Sequence, residues 1–465
     1  MVQSPPSQLL KRKFRLRIMG SPSVPRLIVN SSAQPNHTEQ STLLFAGDFY
    51  LRPDHSLQDQ SDLFAPAITE MVRQSTFSIV NFEGTIPTGD SQAIHKEGPH
   101  LAMDQSAPAL LRSVGFHGIA LANNHAMDYG VEALRHTLRA SADCGLSHVG
   151  AGFNSGQARQ PLRVCLPGNV RLQVLSFCER EFGVSVGNRP GTAWLTSPEA
   201  EDAVGQAKEE GELVIVCTHG GNELMPLPSA QRRQQLRHLI DAGADLVIGH
   251  HPHVPQGWER YLGRYIFYSL GDFYFDSTDG RRYECRDWGF MVRVHLEERR
   301  IKMLEIVPYE RVQDKVVALG SRRDAASRLA YLEQLSSILA GSEFEGYWQQ
   351  LAVNRLSAYR PFLRGTPAYS HMSFRGRLKE LLRISHDMWN LLHFTKPLQN
   401  SLTDRSRLPF NRQALGTLNV IRCDSHRWAI ETALAVLTGE CEDLRSEKIK
   451  DELEVMGPIY GEGFL

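Results

Sequence analysis

The sequence predicts an α/β domain followed by an α-helical extension, and three patterns carry that prediction. From Ser41 onward, short apolar runs alternate with amphipathic stretches of helical length, as in a sheet covered by helices. Five of the apolar runs end in polar residues of the kinds that hold ligands. Beyond Pro308 the alternation stops, and leucine-rich charged stretches with helical spacing take over.

Taken in order, residues 1–40 read as a disordered or loosely attached leader. Lys11–Arg17 is basic, but no apolar segment of signal-peptide length follows, and the remainder is rich in Ser, Pro and Asn. Residues 41–310 form the predicted α/β domain. Strand Leu43–Ala46 ends in Gly47-Asp48, and a helix near Ala65–Gln74 leads to strand Phe77–Val80, which ends in Asn81-Phe82-Glu83-Gly84. A helix near Ala107–Val114 precedes strand Gly118–Ala122 and then Asn123-Asn124-His125. Helix Val131–Cys144 closes at Gly145, a suitable C-terminal glycine. Strands Leu162–Leu166 and Leu172–Phe177, helix Pro198–Glu210 and strand Leu213–Cys217 follow, the last ending in Thr218-His219-Gly220-Gly221. Helix Ala230–Ala242 leads into strand Leu246–Ile248 and the cluster Gly249-His250-His251-Pro252-His253. Hairpin-like strands Arg264–Leu270, Phe290–Leu296 and Ile301–Val307 complete the domain. Residues 311–465 are expected to be helical, near Asp324–Leu339, Glu345–Leu356, Arg377–Leu392 and Arg427–Leu437, with Trp348, Trp389 and Trp428 as core anchors and His371, His386, His393 and His426 as structural residues. Bundle packing or a protein partner suits these helices.

Composition removes several function classes. At 465 residues, 42% apolar and 22% charged, the chain is globular with ample core. Fifty-one basic against 52 acidic residues give no bulk signal for nucleic acid. No stretch reaches the ~18 apolar residues that span a bilayer. Seven scattered cysteines form no disulfide framework or zinc ribbon and suit a reducing, cytoplasmic setting.

In α/β sheets, ligands gather beyond the carboxyl ends of strands, where loops converge on a rigid sheet. Asp48, Asn81, Glu83, Asn124, His125, His219, His250, His251 and His253 all fall there. Asp48 alone suits a turn or helix cap, and a single His often just bonds a carbonyl. Together they form a mixed oxygen and nitrogen donor set suited to zinc, manganese or iron rather than calcium. Six plausible ligands exceed a mononuclear zinc site and suit two ions about 3.5–4 Å apart that activate water. Alternation along extended chain puts His251 and His253 on one side and His250 on the other.

Several segments resemble the capsule-synthesis CapA (poly-γ-glutamate biosynthesis) family, which has the calcineurin-like metallophosphoesterase fold, a β-sandwich flanked by helices. They are Ala46-Gly47-Asp48, Asn81-Phe82-Glu83, Leu121–Gly130, His219-Gly220-Gly221-Asn222-Glu223, Gly249–Val254 and Tyr268–Phe273. The resemblance implies that Asp48 ligates one metal, Glu83 bridges both, Asn124, His219 and His251 hold the second, and His253 returns to the first. It makes His125 the group that donates a proton or hydrogen bond to the leaving oxygen. Glu223 would orient His219 or substrate, His250 would stand behind the ligands or face substrate, and Asp128 would fix the Asn124–His125 loop. Three positions depart from the family. Tyr50 stands where a histidine usually follows the first Asp, with water or His55 as substitutes. Gly220 replaces a common Trp and Asp272 a common Asn, changes expected to alter substrate fit more than metal binding. Segment Ile94–His100 is expected to be a solvated loop, the alternative being that it leans over the site and binds an anionic substrate through Lys96, His95 and His100. The implied function is a metal-dependent hydrolase acting on an anionic small molecule or polymer in capsule synthesis. A γ-glutamyl amide-processing enzyme and a non-catalytic accessory protein that holds an anionic polymer are the alternatives.

Overall fold

The computed structural model describes residues 27–29, 41–53, 63–96, 98–211, 213–276, 286–297, 299–312, 315–318, 322–359 and 417–456. The expected helix Arg377–Leu392, with His371, His386, Trp389, His393 and the alternative ligand His55, lies outside the described residues.

Two sheets face each other. The nine-stranded sheet contains β1 (Leu27–Val29), β2 (Ser41–Tyr50), β3 (Phe77–Phe82), β4 (Gly118–Ala120) and β5 (Ser147–Val149). A two-stranded ribbon follows, β6 (Ala151–Gly152) with β9 (Gly191–Thr192). The six-stranded sheet contains β7 (Leu162–Leu166), β8 (Val170–Cys178), β10 (Leu213–His219), β11 (Leu246–His250), β12 (Trp258–Tyr261) and β13 (Arg264–Phe267). Strands β14 (Asp272–Phe275), β15 (Trp288–Glu297), β16 (Arg300–Val312) and β17 (Lys315–Ala318) return to the first sheet. β2 to β5 run parallel in sequence order, as do β8, β10, β11 and β13 in the order β8-β10-β11-β13. Both parallel blocks therefore present their carboxyl ends as loops.

The buried strands are near-continuous apolar runs because both faces are covered. In β2, Leu43 and Phe45 enter the layer between the sheets, while Leu44 and Ala46 face the helices. In β10, Leu213, Ile215 and Cys217 point inward and Val214 and Val216 outward. Helices α1 (Pro66–Arg73), α2 (Ala107–Val114) and α3 (Gly130–Asp143) cover the first sheet. A single turn, α4 (Ser155–Ala158), precedes β7. Helices α5 (Pro198–Glu210) and α6 (Ala230–Asp241) cover the second sheet. The extension adds α7 (Arg322–Ala340), α8 (Phe344–Tyr359), α9 (Asp424–Thr438) and α10 (Glu447–Val455).

The extension is not a separate body. Leu335, Trp348, Leu351, Ala429 and Leu453 share one core with α5, α6 and the outer face of β10 and β11. Two expected boundaries also shift. Leu27–Val29, placed in the leader, pairs antiparallel with β16, and the first sheet continues past residue 310 to Ala318. Short edge strands of this kind lack the alternating apolar pattern that marks the central ones. Among the described residues no helix is long and apolar enough to cross a membrane.

Candidate metal centre

The carboxyl ends of the two parallel blocks meet, and the strand-end residues of both converge. β2 and β3 align Asp48 with Asn81 across the ladder, and Asn81 Nδ2 donates to Asp48 Oδ1 (2.8 Å) while lying 3.2 Å from His219 Nδ1 of β10. The other Asp48 oxygen accepts from the backbone N–H of His251 (3.1 Å). Such close approach requires Gly47, because a Cβ there would lie 1.9 Å from the carbonyl oxygen of Gly271.

His251 and His253 lie beyond β11, where the chain has left extended geometry. Both adopt left-handed backbone, φ 96° and 58°, which is strained for residues with a Cβ. That bend, rather than strand alternation, aims both rings inward. His250 ends β11 and sits 3.3 Å from the carbonyl oxygen of Thr218 and 3.2 Å from that of Ala46, linking the two sheets away from the centre.

Glu83 holds the middle. Its carboxylate is fully buried, and neither oxygen has a hydrogen-bond partner. The Nε2 atoms of His253, His219 and His125 lie 3.6, 3.7 and 3.9 Å from Glu83 Oε1, too far for hydrogen bonds. Burial, together with the carboxylates of Asp48 and Asp272, pushes the Glu83 pKa well above its ordinary value. Burial likewise raises Asp48. His219 is held well below the usual imidazole value by burial and by the rings of His251, His250 and His253. Burial brings His251 down to about 3. Each neutral imidazole keeps one ring nitrogen with a free lone pair, and beside an unpartnered carboxylate these lone pairs form a ligand set. A divalent cation satisfies such a set.

Three groups of donor atoms lie within 4.8 Å of one another: Asp48, Glu83 and His219; Glu83, His251 and His253; and Asp48, His253 and Asp272. Asn124 Oδ1 adjoins them, 3.0 Å from His219 Nε2. The third group departs from the sequence reading. Asp272 is not merely a substrate-fit position: its Oδ1 lies 2.8 Å from His253 Nδ1, and its Oδ2 accepts from Arg286 Nε (2.7 Å). Burial opposes its ionisation, but Arg286 and His253 outweigh burial and hold its pKa low. Tyr50 contributes no donor here. Its ring is buried with the first sheet's outer core, 5.1 Å from Phe275.

His125 stands beside this group on a charge relay of its own. Its Nδ1 lies 2.7 Å from Asp128 Oδ2, and Lys96 Nζ lies 2.5 Å from the other Asp128 oxygen. The short contact to the carboxylate assigns the Nδ1 proton and leaves Nε2 facing Glu83. Burial and Lys96 lower the His125 pKa, and Asp128 opposes them. Lys96 is itself buried, so segment Ile94–His100, exposed at His95, Gly98 and Pro99 as a solvated loop is, sends one side chain inward. A lysine needs a buried carboxylate to be drawn inward, and Asp128 supplies it. His95 from the same segment is exposed. Glu223 is half-buried at the rim, near enough to Glu83 and Arg286 to act on their charges.

Gly220 has φ 155°, and a Cβ there would lie 1.7 Å from Arg232 Nη2, which pairs with Glu179 at 3.0 Å. A buried ion pair thus occupies the space that a side chain at position 220 would take. Sequence reasoning named Lys96 only within segment Ile94–His100, missed Arg286 and Glu181, whose Oε2 accepts from Asn124 Nδ2 (2.7 Å), and gave Asn81 no role; each acts through a partner distant in the chain.

Residues 42–277 match the family described as "Bacterial capsule synthesis protein PGA_cap". The chain belongs to the PGA_cap family. Among PGA_cap relatives, it is similar to the "PGA biosynthesis protein CapA" of Bacillus subtilis (strain 168), 31% identical over 256 residues that cover 54% of this chain and 66% of the relative. The "Capsule biosynthesis protein CapA" of Bacillus anthracis is 29% identical over 249 residues, covering 52% of this chain and 59% of the relative. The matched region therefore spans about two thirds or less of these relatives. A solved structure of a hypothetical protein from Thermus thermophilus covers 58% of this chain and 99% of its own, at 18% identity and TM-score 0.38. The PGA_cap match ends close to Asp276, so α7 to α10 lie outside it.

Proposed function

We propose that this PGA_cap chain is a metal-dependent hydrolase whose substrate is an anionic molecule or polymer of capsule synthesis. The observation that carries the reading is Glu83, buried without a hydrogen bond and ringed by three imidazole nitrogens at 3.6–3.9 Å. A carboxylate so placed is costly without a cation. Asp48, Glu83, Asn124, His219, His251, His253 and Asp272 would hold two divalent ions of the manganese, zinc or iron type. When bound, such ions polarise a substrate oxygen and lower the pKa of water to about 7.

The chain's own residues supply the rest. Asn81 and the His251 backbone fix both Asp48 oxygens. Asp128 holds the Nδ1 proton of His125, so the neutral ring presents the Nε2 lone pair toward the centre and would take up there the proton that the attacking water releases. Because burial and Lys96 depress its pKa, the protonated ring gives that proton readily to a leaving oxygen. Asp272 offers the donor that Tyr50 does not, which supports hydrolysis over a vestigial centre in an accessory protein.

The test uses the full chain, chelated and then supplied with manganese, zinc or iron(II), against a phosphomonoester, a phosphodiester and a γ-glutamyl peptide. Metal-dependent turnover of one class, lost in Asp48→Asn and His125→Ala, is expected. Turnover indifferent to both substitutions, or none with any metal, overturns the proposal.

A further inference from the structure

A second cluster lies where the C-terminal helices meet the rim of the histidine centre. Glu181 follows β8, and its Oε2 accepts from Asn124 Nδ2 (2.7 Å). Its Oε1 accepts from Asn419 Nδ2 (3.2 Å). Cys423 caps the start of α9, and His426 lies one turn along, so the Cys-x-x-His spacing puts both side chains on one face. A Glu181 carboxylate oxygen, the Cys423 sulfur and a ring nitrogen of His426 lie within 4.8 Å of one another.

Ordinary packing explains only part of this. Cys423 is 1% exposed and its thiol points at Glu179 Oε1 (3.5 Å), as a buried cysteine can. His426 Nδ1 and Asn419 Oδ1, however, are buried acceptors or donors with no hydrogen-bond partner. Glu181 has two amide donors and no ion pair among the described residues. Arg232 is committed to Glu179. Burial lowers the His426 pKa, with Arg355 adding to it and the carboxylates of Glu181 and Glu223 opposing, so the ring is neutral and keeps a lone pair for a ligand.

We propose that Glu181, Cys423 and His426 form a metal site of zinc type, separate from the histidine centre. Carboxylate, thiolate and imidazole are three protein donors of the kind that hold zinc with a fourth position left for water. No sulfur belongs to the histidine centre, so the two sites differ in metal preference. Burial, Glu179 and Glu181 keep the Cys423 thiol protonated in the absence of metal. A bound dication reverses that balance: the sulfur–metal bond forms, and the thiol proton leaves to solvent. The N-terminus of α9 favours the resulting thiolate. The ion ties α9 to the β8 loop, and through the Glu181–Asn124 hydrogen bond it fixes the amide beside His219. Nothing in this inference depends on the histidine centre being hydrolytic.

Cobalt(II) and zinc are the probes, added to the chelated full-length protein. The wild type is expected to show a thiolate-to-cobalt charge-transfer absorption in the near ultraviolet, absent from Cys423→Ser and retained in Asp48→Asn. Zinc content should fall by one ion per chain in Cys423→Ser. Absence of the absorption in the wild type, its persistence in Cys423→Ser, or unchanged zinc content overturns the proposal. Should Cys423→Ser lose its native circular dichroism, His426→Ala and Glu181→Gln decide: each must lower zinc by one ion, and unchanged content in either refutes the site.

Discussion

Substituting Glu83 by Gln separates a metal centre from a merely crowded polar core, because the two predict opposite signs. Glutamine keeps the shape of Glu83 and removes its charge. Neither Glu83 oxygen has a hydrogen-bond partner, and leaving a buried polar group unsatisfied costs about 1–3 kcal/mol. Glutamine stays polar there, so what it removes is the cost of ionising the carboxyl, and the chelated Glu83→Gln protein should be more stable than chelated wild type at pH above the unfolded carboxyl value. The gap should widen with pH. Burial and the carboxylates of Asp48 and Asp272 raise the Glu83 pKa, so its contribution to stability is fully present only below the unfolded value of about 4.3 and is lost as pH climbs towards the folded one. Each unit of that climb is worth about 1.4 kcal/mol. Metal reverses the ranking of benefits. At a concentration about 100 times the dissociation constant, an ion stabilises the wild type by about 2.7 kcal/mol. Removing a direct ligand weakens binding by at least the roughly 100-fold seen for outer partners, which leaves the variant a gain of about 0.4 kcal/mol. Urea unfolding followed by tryptophan fluorescence, with chelator and with manganese or zinc, measures both quantities. A chelated variant less stable than wild type by more than about 1 kcal/mol, or an unchanged metal increment, would refute the reasoning.

Four further outcomes follow from the same geometry. Asp272→Asn should release up to one ion per chain while Tyr50→Phe releases none, as read by metal analysis of the purified proteins. Asp128→Asn removes the acceptor that fixes the His125 tautomer, and hydrolysis should fall by about 10²–10⁴ at unchanged metal content. Lys96→Met removes the cation that helps depress His125, so the pH–rate limb belonging to that ring should move to higher pH. Trp348 is fully buried in the core shared with the extension, and Trp348→Ala should cost about 3–5 kcal/mol, seen as earlier melting of the helical signal.

How far the sequence could be read follows from how local each signal is. The alternating faces of β2 and β10 are written in consecutive residues, so these strands were legible, though each runs on into polar residues because Asp48 and His219 still pair with neighbouring strands. Helices α2 and α5 fall at the predicted bounds, as both begin with proline near their first position and end at a glycine. Edge pairing of Leu27–Val29 was not legible, since three residues carry no periodicity. Within the site, donors beyond strand ends could be named from their place. Their partners could not. Asn81 matters only because the β2–β3 register sets it opposite Asp48, and Lys96 only because Asp128 draws it inward. Tyr50 and Asp272 show how a substitution can be misread when taken one position at a time. Strand β14 pairs in parallel with β2, bringing Asp272 into register with Asp48 and setting Phe275 against Tyr50. The aromatic pair closes the place where the usual histidine would project, and the same ladder delivers a carboxylate to His253. Arg286, which lies 2.7 Å from Asp272, helps hold that carboxylate ionised beside His253.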